Sequence, residues 1–169
     1  MKKETRPIIS IEPSPADKVV EVLSWMVLAA LWFLTIYNYQ ELPETIAVHF
    51  NVAGNPDRFD DKSTLFELPV IASVLFIVLT ILCRFPQAFN YPVAITIANA
   101  AQQYRNGIRV IRGLKLSLAV VFLIINYNVH GIAMGQAESL GSWFLASILV
   151  IIFIPTLFVL PGLFKKRNG

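Results

Sequence analysis

The residue types that could do chemistry are concentrated between Leu42 and Arg58, in the stretch LPETIAVHFNVAGNPDR. His49 and Asp57, with Glu44, Asp60 and Asp61 close by in sequence, combine imidazole and carboxylate, a donor set that suits zinc or another transition metal. No His-x-x-x-His spacing and no cysteine ligand accompany them, so His49 and Asp57 are weak metal candidates. Two other readings stand beside this one. The side chains of His49, Asn51 and Asp57 can hydrogen-bond the local backbone and fix a turn. Alternatively Pro43, His49, Phe50, Asn51, Gly54, Asp57 and Lys62 form a surface that recognises a peptide, a toxin or an envelope component.

A second polar set lies in an apolar run. Asn126 and His130 are four residues apart, hence on one helix face, with Asn128 nearby. Polar groups in such runs either mark a pathway across a membrane or hydrogen-bond neighbouring helices. The lone Cys83 excludes an internal disulfide framework and reads as a small hydrophobe. Neither Gly-x-x-x-x-Gly-Lys-[Ser/Thr] nor His-Glu-x-x-His occurs, and there is no nucleophile elbow or dinucleotide fingerprint. The chain reads as non-enzymatic, with no cofactor.

The elements that must position these residues are membrane helices. Of 169 residues, 56% are hydrophobic and 15% charged, against about 45–50% and about 25% in soluble domains. The apolar residues come in blocks of the length that a bilayer core of about 30 Å requires of a helix. The expected fold is an all-α integral membrane protein with four spans, at about 19–39, 65–83, 114–134 and 142–164. Residues 1–13 read as a disordered tail and 14–169 as a single membrane domain, with an ordered loop at 40–64 and a polar connection at 84–113.

Local signals refine these boundaries. Ser14, Pro15 and Asp17 form a helix start, by capping, by preset φ and by charge. Tyr37, Asn38 and Tyr39 follow the first apolar run where a signal peptide would have small residues, so that run reads as a span. Thr64 and Glu67 are spaced as a capping box for the second helix. Thr45–Phe50 favours an extended strand, and Asn51–Asp57 a tight turn with positive φ at Gly54. Gly107 and Gly113 weaken the helix that follows, and Pro155 predicts a kink in the fourth span.

In the connection, Ile97, Ala101, Tyr104, Ile108 and Ile111 make an apolar stripe, with Arg105, Arg109 and Arg112 opposite. That helix either lies in the cytoplasmic membrane surface or packs on the other helices. Four spans place twelve of the fourteen lysines and arginines on the side of both termini, leaving Arg58 and Lys62 on the other. The positive-inside bias then puts the termini in the cytoplasm and the Leu42–Arg58 stretch outside. The basic residues gather beside apolar blocks, which points to a lipid bilayer as partner and away from nucleic acid.

Leu42-Pro43, Ile46, His49-Phe50-Asn51, Gly54 and Pro56-Asp57 follow the pattern LPxxIPxHFNxxGxPD, with Ala47 where that pattern has proline. With Phe89-Asn90-Tyr91-Pro92, Asn99, Tyr104 and Arg105, they resemble a bacterial membrane domain of unknown function. SdpI-type toxin-immunity proteins share that domain. The resemblance covers roughly residues 23–116, and the second half of the immunity proteins is not evident in the remainder. It implies a multi-pass protein of the bacterial inner membrane whose outer loop meets an extracytoplasmic peptide, toxin or envelope partner. A small oligomeric transporter, or a subunit of one, is the alternative that Asn126, His130 and Pro155 suggest.

Overall fold

The computed structural model describes residues 6–164, with the backbone alone at 155, 156, 158–161 and 163. The chain is mostly helical and carries a small two-stranded sheet, which corrects the all-α expectation. Helix α1 (Pro15–Asn38) leads into strands β1 (Thr45–Phe50) and β2 (Pro56–Asp61). A 3-10 turn (Lys62–Phe66) enters α2 (Glu67–Leu82), and a second (Pro86–Ala88) begins the connection to α3 (Ala100–Ala133) and α4 (Phe144–Phe164). Among the described residues two stretches, Pro15–Asn38 and Lys62–Leu82, are long and apolar enough to cross a membrane, and the Phe144–Ile154 part of α4 is a shorter apolar stretch.

The helices alternate in direction, and α3 packs against the other three. Asp17 of α1 meets Arg109, and Thr35 meets Asn126, so α1 and α3 run parallel. Thr80, near the end of α2, reaches Lys115, and Ser117 donates to the Ile151 carbonyl of α4. One apolar cluster, Leu28, Leu31, Ala72 and Phe76, joins α1 to α2, aided by the bond from Trp32 Nε1 to Ser73 Oγ at 3.0 Å. A second, Leu42, Ile46, Leu65 and Val129, seats the hairpin on the helix ends.

Polarity is distributed inside out. Ser24, Thr35, Gln103, Asn106, Lys115, Ser117 and Asn126 are buried, while Trp25, Met26, Phe33, Val74, Val78 and Phe153 are exposed. The third apolar run is the second half of a 34-residue helix that buries Gln103, Asn106, Lys115, Ser117 and Asn126.

Several local expectations resolve at this level. Ser14 and Asp17 form a reciprocal cap on α1. Thr64 and Glu67 do not form one: Asp61 accepts from the Ser63 amide at 2.8 Å and caps the 3-10 turn instead, one turn earlier. Gly107 does not break α3. Its missing side chain makes room for the connection, since a Cβ there would lie 2.9 Å from the Tyr91 hydroxyl. The backbone at Pro155 is helical, but its side chain lies outside the described residues. So do Lys2, Lys3, Lys165, Lys166 and Arg167.

Residues 6–13, expected as disordered tail, are an irregular segment laid against the connection. Arg6 Nη1 donates to the Gln87 and Phe89 carbonyls at 2.9 and 2.6 Å, and its guanidinium lies over the Tyr91 ring. The Tyr104 hydroxyl donates to the Pro7 carbonyl at 3.0 Å. The physical reason is that the irregular connection leaves free carbonyls, which an arginine fork satisfies. Burial pushes the Tyr91 phenol well above its ordinary range, so it remains a donor, to the Pro86 carbonyl at 2.9 Å.

Candidate functional site

The Leu42–Arg58 stretch and the residues that follow it fold as one antiparallel hairpin. Thr45 pairs with Asp61, Ala47 with Phe59 and Phe50 with Pro56, with register shifts on either side of His49. Such bulges increase local twist and re-aim side chains. Within the turn, Asn51 Oδ1 accepts from the Ala53 and Asn55 amides at 2.9 and 3.1 Å, and Gly54 has φ +82°. The turn is docked as well as closed, because the Leu140 amide donates to the Gly54 carbonyl at 2.8 Å.

The bulge brings His49 and Asp57 together. His49 Nδ1 lies 2.5 Å from Asp57 Oδ1, and the two side chains are 61% and 40% exposed. They supply two donors, whereas zinc sites draw on three or four protein ligands. Among the described residues no group of three His, Cys, Asp or Glu side chains converges. At the hairpin base, Lys62 Nζ pairs with Glu44 at 3.0 Å and sits over the Tyr39 ring. Asn51, Gly54 and Lys62 therefore hold the hairpin's shape, and Pro43 lies exposed before β1.

Sequence reasoning missed what lies under β1. A cavity of about 170 Å³ opens between the hairpin, the first turns of α2 and the C-terminal part of α3. Ile46, Val48, Phe50, Leu68, Ile71 and Ile125 line it, and Arg58, Asp60, Thr64 and Glu67 stand at its polar edge. Phe50 and Val48 also border a second space of about 320 Å³ on the side of Leu140 and Phe144. The alternation of Ile46, Val48 and Phe50 was the available signal, but it does not say which surface a strand covers.

At the opposite end of the bundle two of the three arginines meet carboxylates of α1. Arg109 Nε bonds Asp17 Oδ1 at 2.9 Å, and Arg112 lies 3.8 Å from both Asp17 and Glu21. Lys115, almost fully buried, pairs with Glu21, donates to Thr80 Oγ1 at 3.1 Å and lies 4.4 Å from the Phe76 ring centroid. Arg105 alone of the three arginines is exposed. Of the two readings left open for this helix, Arg109 and Arg112 follow packing on another helix: α3 continues the connection helix and turns them onto the acidic first turns of α1.

Asn126 Nδ2 donates to Thr35 Oγ1 at 2.9 Å, and Thr35 in turn donates to the Leu31 carbonyl. This is hydrogen bonding between helices. His130 Nε2 and Asn126 Oδ1 are buried and have no hydrogen-bond partner among the described residues.

A family model described as a domain of unknown function (DUF1648) matches residues 26–72, from the middle of α1 through the hairpin to the first turns of α2. An uncharacterized protein of Archaeoglobus fulgidus is 33% identical over 95 residues, in a match that covers 50% of this chain. The matched part is 52% of that protein, so the chain spans about half the length of its relative. No solved structure matches the chain. The hairpin thus lies at the centre of the segment that resembles this domain.

Proposed function

We propose that the chain is a four-span protein of the cytoplasmic membrane, with both termini inside, whose outer hairpin binds an extracytoplasmic peptide. The cavity beneath β1 carries this reading. Its apolar lining and polar edge suit one hydrophobic side chain of a ligand that approaches from water. At its edge Asp60 and Glu67 stand against Arg58, and this excess of negative charge favours a cationic amphipathic peptide. The resemblance to SdpI-type immunity proteins, which protect a cell from its own secreted toxin, supports the same direction, and no catalytic role is part of the proposal.

The inside-out polarity supports residence in a bilayer. Trp25, Met26 and Phe33 of α1, Val74 and Val78 of α2 and Phe153 of α4 are exposed, while Lys115, Ser117 and Asn126 of α3 are buried within the bundle. A transporter gains less support, because Asn126 is engaged by Thr35.

The test uses the purified full chain in neutral-lipid nanodiscs and a fluorescent leucine–lysine amphipathic peptide. Val48→Phe, which fills the cavity, should weaken binding about tenfold, equivalent to about 1.4 kcal/mol. Equal binding by the wild type and Val48→Phe would refute the cavity as the site. Labelling of Phe59→Cys, in a Cys83→Ser background, by a membrane-impermeant maleimide in whole cells checks the sidedness; protection of that position would refute the outside placement.

A further inference from the structure

We infer that the inner end of the bundle binds one phosphate-bearing anion, held by Arg112 with Arg109 beside it. The inference rests on an imbalance of charge that is independent of the hairpin. Helix α3 presents Arg109, Arg112 and Lys115 at every third position, toward Asp17 and Glu21 one turn apart on α1. Three cations thus face two carboxylates, and both carboxylates have closer partners than Arg112. Asp17 takes Arg109 on one oxygen and the Ser14 amide and hydroxyl on the other, at 2.8 and 2.6 Å. Glu21 takes the buried ammonium of Lys115.

Arg112 remains. Its nitrogens approach Asp17 and Glu21 only to 3.8 Å, beyond hydrogen-bond distance, and it makes no hydrogen bond to another described residue. Its side chain is 18% exposed and none of its nitrogens is sealed from solvent, so its donors stay open to an anion that arrives from outside the bundle. The positive start of α1 and the negative end of α2 both lie at this level and oppose each other, so the helix dipoles leave the surplus positive charge uncancelled. A partly buried guanidinium whose donors no described residue takes fits a phosphate oxygen pair, through two parallel charge-assisted bonds. The neighbouring ion pairs hold it in place before the anion arrives.

Two sources share this chemistry: the phosphodiester of an inner-leaflet lipid and free phosphate. Native mass spectrometry on the full chain, released from nanodiscs containing phosphatidylglycerol in phosphatidylcholine, tests the first. Wild type and Arg105→Gln should each retain one phosphatidylglycerol, and Arg112→Gln should retain about tenfold less, as expected for lost hydrogen bonds to a charged group. Thermal unfolding in phosphatidylcholine alone, with and without inorganic phosphate, tests the second: a rise in midpoint seen in wild type and absent in Arg112→Gln assigns the site to free phosphate. Arg112→Gln leaves two cations against two carboxylates, so it should unfold at an unchanged midpoint without anion. A lowered midpoint there would mean that Arg112 serves the ion pairs, and would overturn the proposal. Equal retention by Arg112→Gln with no response to phosphate, or equal loss by Arg105→Gln, would overturn it too.

Discussion

Gly54 and Gly141 meet backbone to backbone. A Cβ built on Gly54 would stand 2.6 Å from the Gly141 carbonyl oxygen and 2.8 Å from its nitrogen. The hairpin tip is therefore clamped onto the loop between α3 and α4 by a contact that only glycine permits. With φ at +82°, Gly54 also occupies backbone space that costs other residues about 1–2 kcal/mol. Gly54→Ala should combine this strain with the clash and release the tip. Hydrogen exchange at the Leu140 amide, which donates to the Gly54 carbonyl, should accelerate in the variant; an unchanged rate would contradict the clamp.

The exposed pair of His49 and Asp57 should contribute little to folding. Surface ion pairs are worth about 0–1 kcal/mol, and both side chains here are well over a third exposed. His49→Ala and Asp57→Asn should each shift thermal stability by less than about 1 kcal/mol. If either variant nevertheless weakened peptide binding, the pair would belong to the recognition surface and not to the scaffold alone. Calorimetric unfolding alongside peptide titration separates the two effects.

Glu21 and Lys115 should behave in the opposite way. Replacing Glu21 by Gln leaves the ammonium of Lys115 buried without its counter-charge, and breaking such a pair costs about 3–5 kcal/mol. The double variant Glu21→Gln with Lys115→Met should recover most of that loss, because the unpaired charge is gone. Unfolding midpoints of the four proteins in one detergent give the coupling directly, and additive losses would contradict it.

Asp61 gives the hairpin a pH dependence of known sign. Hydrogen bonds from Ser63 hold its carboxyl below the ordinary value of 3.8. A depressed carboxylate stabilises the folded state fully above its unfolded pKa and loses that contribution as pH falls through the lower folded value. Acidification from just above pH 3.8 should therefore loosen the 3-10 turn that carries β2 into α2. Asp61→Asn should remove this part of the acid response, measurable as a flatter dependence of midpoint on pH.

How far the residues announced this arrangement depends on the range of the forces involved. Ser14, Pro15 and Asp17 declare the start of α1 because capping acts within one turn, and Gly54 declares its positive φ for the same reason. Strand β2 was illegible: Pro-Asp-Arg-Phe-Asp-Asp has turn formers and charges and is almost wholly exposed, so only its pairing with β1 makes it a strand. The cap at Asp61 was displaced from Thr64 because the 3-10 turn inserts between strand and helix. The contact of Arg109 with Asp17 spans 92 positions, and no local period encodes it. The cavity beneath β1 was hidden for the same reason, since its walls come from a strand and two helices.

Helix α3 has a consequence that reaches across the whole molecule. Its 34 residues make a rod of about 51 Å, longer than a bilayer core. Near one end Val129 supports the hairpin, and near the other Tyr104 holds the segment that contains Arg6 and Pro7. A rod of this length ties contacts at the two ends of the bundle to one rigid element. A tilt of about 5° at the hairpin would carry the far end through roughly 4 Å, enough to separate Arg6 from the carbonyls it grips.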